Sequence, residues 1–157
     1  MSKISPFLWF DTQAEEAVKF YVSIFTNSKI GKIARYGEGG PGPAGSVMTI
    51  AFEIDGQSYI ALNGGPHFKF NEAISFSIDC KNQEEVDYYW EKLTDGGQGV
   101  QCGWLKDKFG LSWQVNPSAL GELLADPNPK RAKAAMAAMM TMKKIDIAEL
   151  KRAADQA

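Results

Sequence analysis

The sequence predicts an α+β fold made of two copies of one strand–helix–strands unit followed by a helical tail, and three observations lead there. Two short apolar stretches, Phe7–Phe10 and Ile74–Ile78, each run into a polar residue with glutamate three places on, the pattern of a helix-capping box: Thr12 with Glu15, and Asn82 with Glu85. A displacement of about 68 positions lays Phe7-Leu8-Trp9-Phe10-Asp11 on Ser75-Phe76-Ser77-Ile78-Asp79, and Tyr21 on Tyr89. Beyond Ser118 the pattern changes to Ala, Met and Lys at helical spacing.

In the first copy, Phe7–Phe10 reads as a buried strand. Ala14, Ala17, Val18, Tyr21, Ile24 and Phe25 then recur at helical spacing on one face, and Asn27-Ser28 closes the helix. Three strands are expected next, over Lys29–Tyr36, Val47–Ile54 and Gln57–Asn63. The first two are joined by the Gly/Pro loop Gly37–Gly45 and the last two by Asp55-Gly56, a two-residue hairpin signal. In the second copy, Ile74–Ile78 alternates like a half-buried strand, and a helix carries Val86, Tyr89, Trp90 and Leu93 as far as the Gly96-Gly97 stop. Strand-like stretches follow near Gly99–Leu105 and Leu111–Val115, separated by the turn Asp107-Lys108-Phe109-Gly110, and Lys106-Asp107-Lys108 reads as solvated. In the tail, Asn128-Pro129 pairs an N-cap with proline at the first helical position and opens a helix to about Met142, and Asp146 with Glu149 caps a last one. The expected organisation is one compact domain of modules 1–70 and 71–117 with a helical tail over 118–157.

Composition narrows the function classes. With 17 basic and 19 acidic side chains in 157 residues, the net charge of −2 leaves no excess of Lys and Arg to neutralise a run of phosphates, so nucleic acid is not an expected partner. No apolar run approaches the roughly 20 residues a membrane span needs, and the N-terminus lacks a secretory pattern, so a cytoplasmic protein is expected. The chain has one histidine, His67, and two isolated cysteines, Cys80 and Cys102, a count that excludes Cys/His zinc sites and two-histidine mechanisms. The tail from Asp126 carries seven basic and four acidic side chains and most of the methionines; packing on its own body or on a twin subunit is expected, and membrane anchoring is not, because Trp and Phe anchors are missing.

Three stretches carry a resemblance. Phe7-Leu8-Trp9-Phe10-Asp11 running into Glu16-Ala17-Val18-Lys19-Phe20-Tyr21 is similar to the start of PhnB-like proteins. Gly64-Gly65-Pro66-His67-Phe68-Lys69-Phe70-Asn71-Glu72-Ala73-Ile74-Ser75-Phe76 resembles the same group, as does Cys102-Gly103-Trp104-Leu105-Lys106-Asp107 with Phe109-Gly110-Leu111-Ser112-Trp113-Gln114-Val115. Together they resemble the PhnB-like, "3-demethylubiquinone-9 3-methyltransferase" branch of the vicinal oxygen chelate superfamily, which includes the glyoxalases, bleomycin-resistance proteins and dioxygenases. The resemblance implies two βαβββ modules forming a curved mixed sheet around a concave cleft, a homodimer, and, in the superfamily's enzymes, a divalent metal held by His, Gln or Glu on the first and last strands of each module.

Strand parity locates the matching positions. Asp11 and Asp79 should avoid the helix-packed face, which puts Phe7, Trp9, Ser75 and Ser77 on the concave side and Leu8, Phe10, Phe76 and Ile78 under the helices. The ligand positions then fall near Ser5 or Phe7, Ala61, Ala73 or Ser75, and Gln114, of which only Gln114 could bind a metal; hard divalent cations want several anionic or imidazole ligands, so no metal and no cofactor are expected. A nucleotide cradle is not expected either, since the Gly37–Gly45 run lies between two strands and contains two prolines. The remaining groups, Phe7, Trp9, Tyr59, Asn63, Ser75, Ser77, Trp104, Ser112 and Gln114, suit an aromatic-walled pocket with neutral hydrogen-bonding groups for a planar or apolar small molecule. The alternative is an enzyme: a metal-dependent lyase, isomerase or dioxygenase, or the methyltransferase of the family label. His67 is then the one candidate for moving a proton near neutral pH.

Overall fold

The computed structural model describes residues 2–157, and the chain divides into two compact units, Met1–Phe70 and Asn71–Ala157. The first unit runs β1 (Phe7–Phe10), α1 (Ala14–Ile24), β2 (Lys29–Arg35), β3 (Val47–Ile54) and β4 (Gln57–Asn63). Its four strands form a mixed sheet in the order β1-β4-β3-β2, with β1 parallel to β4 and the other pairs antiparallel. Asp55 and Gly56 both adopt positive φ, 49° and 79°, which is what a type I′ turn needs to join β3 and β4 with the twist of the flanking strands. One sheet face meets α1: Leu8, Phe10, Ile50, Phe52, Ile54, Tyr59 and Ala61 are buried there with Ala14, Ala17, Val18, Tyr21 and Ile24, and the Tyr21 and Phe52 rings stack.

The second unit repeats the order as β5 (Ser75–Cys80), α2 (Gln83–Thr94), β6 (Gln98–Gly99), β7 (Trp104–Lys106) and β8 (Ser112–Pro117). Its sheet, β5-β8-β7-β6, again sets the first strand parallel to the last. The single strand expected near Gly99–Leu105 is two, the first only two residues long and paired Gln98 to Lys106 and Gly99 to Leu105. On the α2 side Cys80, Leu105, Trp113 and Val115 are buried with Val86 and Leu93. Three tail helices follow: α3 (Ser118–Leu124), α4 (Pro129–Met139) and α5 (Ile147–Asp155). They share a small core of Leu120, Ile145 and Leu150, with Leu123, Leu124, Ala138, Met139 and Met142 against it.

The tail packs on the second unit through backbone bonds. Cys102 and Gly103 donate to the carbonyls of Met142 and Lys143, each at 2.8 Å. The Gln83 side chain donates to Ile145 O at 3.0 Å and accepts from Ile147 N at 2.9 Å, and Lys144 pairs with Asp87. Helix α4 stops at Met139, short of Met142, and the helical tail opens with a separate helix, α3, ahead of the one capped by Asn128.

Two local readings of the sequence are corrected. The Thr12–Glu15 capping box does not form: the N-cap is Gln13, and the first amide of α1, Ala14 N, donates instead to Asn63 Oδ1 at 2.8 Å, across the sheet. Asn82 caps α2 as the pattern requires, accepting from Glu85 N at 2.9 Å, while Glu85 reaches back to Lys81 N at 2.8 Å. The Asp107–Gly110 turn is not solvated at Asp107, which is 3% exposed. One of its oxygens accepts from Phe109 N and Leu111 N, and the other from the Trp113 indole at 2.9 Å, so a carboxylate substitutes for the missing backbone partners of the turn.

Candidate functional site

Register decides which predicted site residues share a face. Across β1 and β4, Phe7 pairs with Ile60 and Trp9 with Leu62, so these four side chains lie on the sheet face of the first unit turned away from α1. Phe7 is 59% exposed. Trp9 is half-buried: its indole donates to Gly65 O at 2.9 Å, the Phe68 ring meets it edge-on, and a Cβ at Gly64 would strike its ring, so glycine is required at that approach. Tyr59 and Asn63 lie on the other face. Tyr59 stacks on Phe52 in the core, where burial pushes its phenol above the ordinary value, helped by Asp55. Asn63 caps α1 and donates to Val47 O at 3.2 Å, and its own carbonyl accepts from Tyr36 Oη. Ala61, one of the ligand positions inferred by parity, is fully buried under the helix as well.

The five predicted residues of the second unit come together. Ser75 pairs with Ser112, Ser77 with Gln114, and Trp104 with Gln114 from the opposite side, all on the face turned away from α2. Their polar groups form a chain: Gln114 Nε2 donates to Ser75 Oγ at 2.9 Å, and Asn116 Nδ2 donates to Ser77 Oγ at 3.0 Å and to Gln114 Oε1 at 3.3 Å. Beside it, Ser118 donates to Asp79 Oδ1 at 2.9 Å. Asn116 was missed by the sequence reading although the signal was present, since it stands two residues past Gln114 on the same strand face. An open cavity of about 600 Å³ runs along Trp104, Gln114 and Asn116 toward α3. Ser112 is buried, 1% exposed, and its hydroxyl has no hydrogen-bond partner among the described residues.

His67 is exposed and lines a separate cleft of about 480 Å³ in the first unit, with Asp11, Glu15, Tyr36 and the Gly37–Gly45 loop around it. That loop is a hairpin connection, closed by Tyr36 N to Ser46 O at 2.9 Å and Gly45 N to Tyr36 O at 2.8 Å, and so lacks the strand-to-helix geometry of a nucleotide cradle. The metal of the superfamily's enzymes does not fit either. On the faces turned away from the helices, the positions that would hold it offer the Phe7 ring, Ile60 or Leu62 in place of Ala61, the Ser75 hydroxyl and the Gln114 amide, with no carboxylate or imidazole among them. Among the described residues, no group of three or more His, Cys, Asp or Glu side chains is placed to share an ion.

Two βαβββ units, each with its first strand parallel to its last, define a fold of the glyoxalase and bleomycin-resistance type. The chain belongs to the 3-demethylubiquinone-9 3-methyltransferase family, which matches residues 2–116. It is similar to the PhnB protein of Bacillus cereus, with 36% identity and a TM-score of 0.68, over 74% of this chain and 100% of that one. Protein PA1353 of Pseudomonas aeruginosa shares the fold, at 20% identity and a TM-score of 0.62 over 74% and 98% of the two chains. A glyoxylase/bleomycin resistance protein/dioxygenase domain from Frankia matches at 17% identity, over 74% and 92%, with a TM-score of 0.46. No curated protein matches. Among the described residues, no helix is long and apolar enough to cross a membrane.

Proposed function

We propose that the protein is a metal-independent small-molecule binder, its ligand held on the open sheet face of the second unit. The observation that carries this is the Ser75–Gln114–Asn116–Ser77 chain beside Trp104. Neutral amides and hydroxyls can give and accept hydrogen bonds without the desolvation cost of a buried charge, and an indole offers a flat apolar wall. Phe7 and Trp9 stand on the corresponding face of the first unit, away from α1. A homodimer belongs to it as well, supported by Ile30 and Ile33 exposed on the edge strand β2 and by Met136 and Met140 exposed on the tail. A reducing, cytoplasmic setting is supported by two free cysteines, with the Cys80 thiol pushed up to about 12 by burial.

The second reading, an enzyme, is favoured by one observation: the cleft that gathers His67 with Asp11, Glu15 and Tyr36. The two separate by experiment. Ligand that co-purifies with the protein is identified by mass spectrometry, and its binding is followed by tryptophan fluorescence. Gln114→Ala and Trp104→Ala should each weaken it roughly tenfold, while His67→Ala leaves it unchanged. A turnover that disappears in His67→Ala and follows one ionisation near neutral pH would overturn the binder in favour of the enzyme.

A further inference from the structure

We infer that a second cavity, bounded by β6, β7 and β8 and sharing Trp104 with the site above, receives the carboxylate of a small molecule, with Lys106 and Ser112 as its seat; this goes beyond the small-molecule reading above. The cavity lies wholly within the second unit and measures about 410 Å³, within the range of small-molecule pockets. Its wall includes Glu72, Gln98, Val100, Trp104, Lys106 and Ser112.

Three features converge on an anionic head group. The buried Ser112 hydroxyl lacks a partner among the described residues, and a buried polar group of that kind calls for a hydrogen-bonding guest. Lys106 is the cross-strand partner of Ser112, so its ammonium and that hydroxyl rise from the same face of adjacent strands, two donors suited to one carboxylate. Lys106 already holds a carboxylate, that of Glu72, but both side chains are solvent-accessible, 39% and 57%. An ion pair so exposed is weak, and a ligand carboxylate that gains the Ser112 hydrogen bond as well can displace it. Val100 and Trp104 leave an apolar wall for the body of the molecule, and Gln98 a further donor at the rim.

The test uses the full chain and two probes that differ only in the head group, 3-phenylpropanoate and 3-phenylpropanamide, with calorimetry at low salt. The acid should bind about fivefold more tightly than the amide, and Lys106→Met should erase that preference. Glu72→Gln, which removes the internal competitor, should widen it roughly threefold, a direction opposite to the damage expected from losing a structural ion pair. Ser112→Ala should weaken the acid about tenfold while leaving the melting temperature unchanged or raised, because the hydroxyl it deletes makes no bond among the described residues. Equal affinity for acid and amide, or a preference that survives Lys106→Met, overturns the carboxylate assignment and leaves the small-molecule reading intact. Absence of binding by both probes at millimolar concentration also overturns it, and the co-purified ligand then judges the broader reading separately.

Discussion

The two units share one topology and differ in what they present on the face away from their helix. In the first, that face carries Phe7, Trp9, Ile60 and Leu62; in the second it carries Ser75, Ser77, Gln114 and Asn116, with Trp104 alongside. The first has a seven-residue outer strand, β2, whose isoleucines are exposed, and the second has a two-residue stub, β6, and three helices added after β8. A repeated scaffold thus tolerates opposite surface chemistry, because the helix-covered face alone is tied to folding. The apolar alternation there is kept in both copies while the other face is free to diverge.

The comparison breaks most severely at Asp107, which the first unit has no counterpart for. Asp107→Ala strands two backbone amides and an indole N–H in the interior, and should cost about 3–5 kcal/mol in urea unfolding. A loss below about 1 kcal/mol would mean that water replaces the carboxylate. Next comes the tail. Leu150→Ala should destabilise the protein by roughly 2–4 kcal/mol through the cavity it opens between Leu120 and Ile145, which makes the tail part of the second unit's core; an unchanged midpoint would make it an independent appendage.

The capping residues sharpen the contrast more finely. Asn63→Ala removes a cap and a bond to Val47 O and should cost about 1.5–2 kcal/mol, against about 1 kcal/mol for Asn82→Ala, whose bond is local. Equal losses would show that the long-range cap has no added value.

The smallest effect is electrostatic and again belongs to the tail. Asp87 is held below the ordinary carboxylate value by the Gln83 amide and then by Lys144, and Asp126 by the Asn128 amide and then by Arg131. A carboxylate depressed in the folded state stabilises it fully above its unfolded value and less as pH falls through the folded one. Stability should therefore decline modestly in acid below the usual carboxylate range, and Lys144→Met should flatten part of that slope. Asp87 is exposed and Asp126 only partly covered, so both pairs are screened by solvent, and an acid transition dominated by them would contradict the placement.

Much of this architecture was legible from the chain because it is written locally. The strands Val47–Ile54 and Gln57–Asn63, the Asp55-Gly56 turn and the Asn82, Asn128 and Asp146 caps all rest on residues within a few positions of one another. What was misread depends on distant partners. Thr12 has the right spacing for a cap, but Asn63 occupies the role from another strand; Asp107 is the exception, since its partners lie within six residues and what turn composition does not carry is the burial of the turn. Candidate positions in the second unit were found together because alternation along β5 and β8 fixes their face, whereas Tyr59 and Asn63 were grouped with Phe7 and Trp9 by chemical type, and register puts them on the opposite side.

The long-range cap on α1 also says something about the order in which the molecule is assembled. The Asn82 cap closes over three residues and is available as soon as α2 begins to turn, while the bond from Ala14 to Asn63 closes a loop of 49 residues and exists only once β4 lies beside β1. The two helices, equivalent in the finished fold, thus acquire their first-turn support at different stages. Removing the Asn82 side chain should slow refolding, whereas removing that of Asn63 should mainly hasten unfolding.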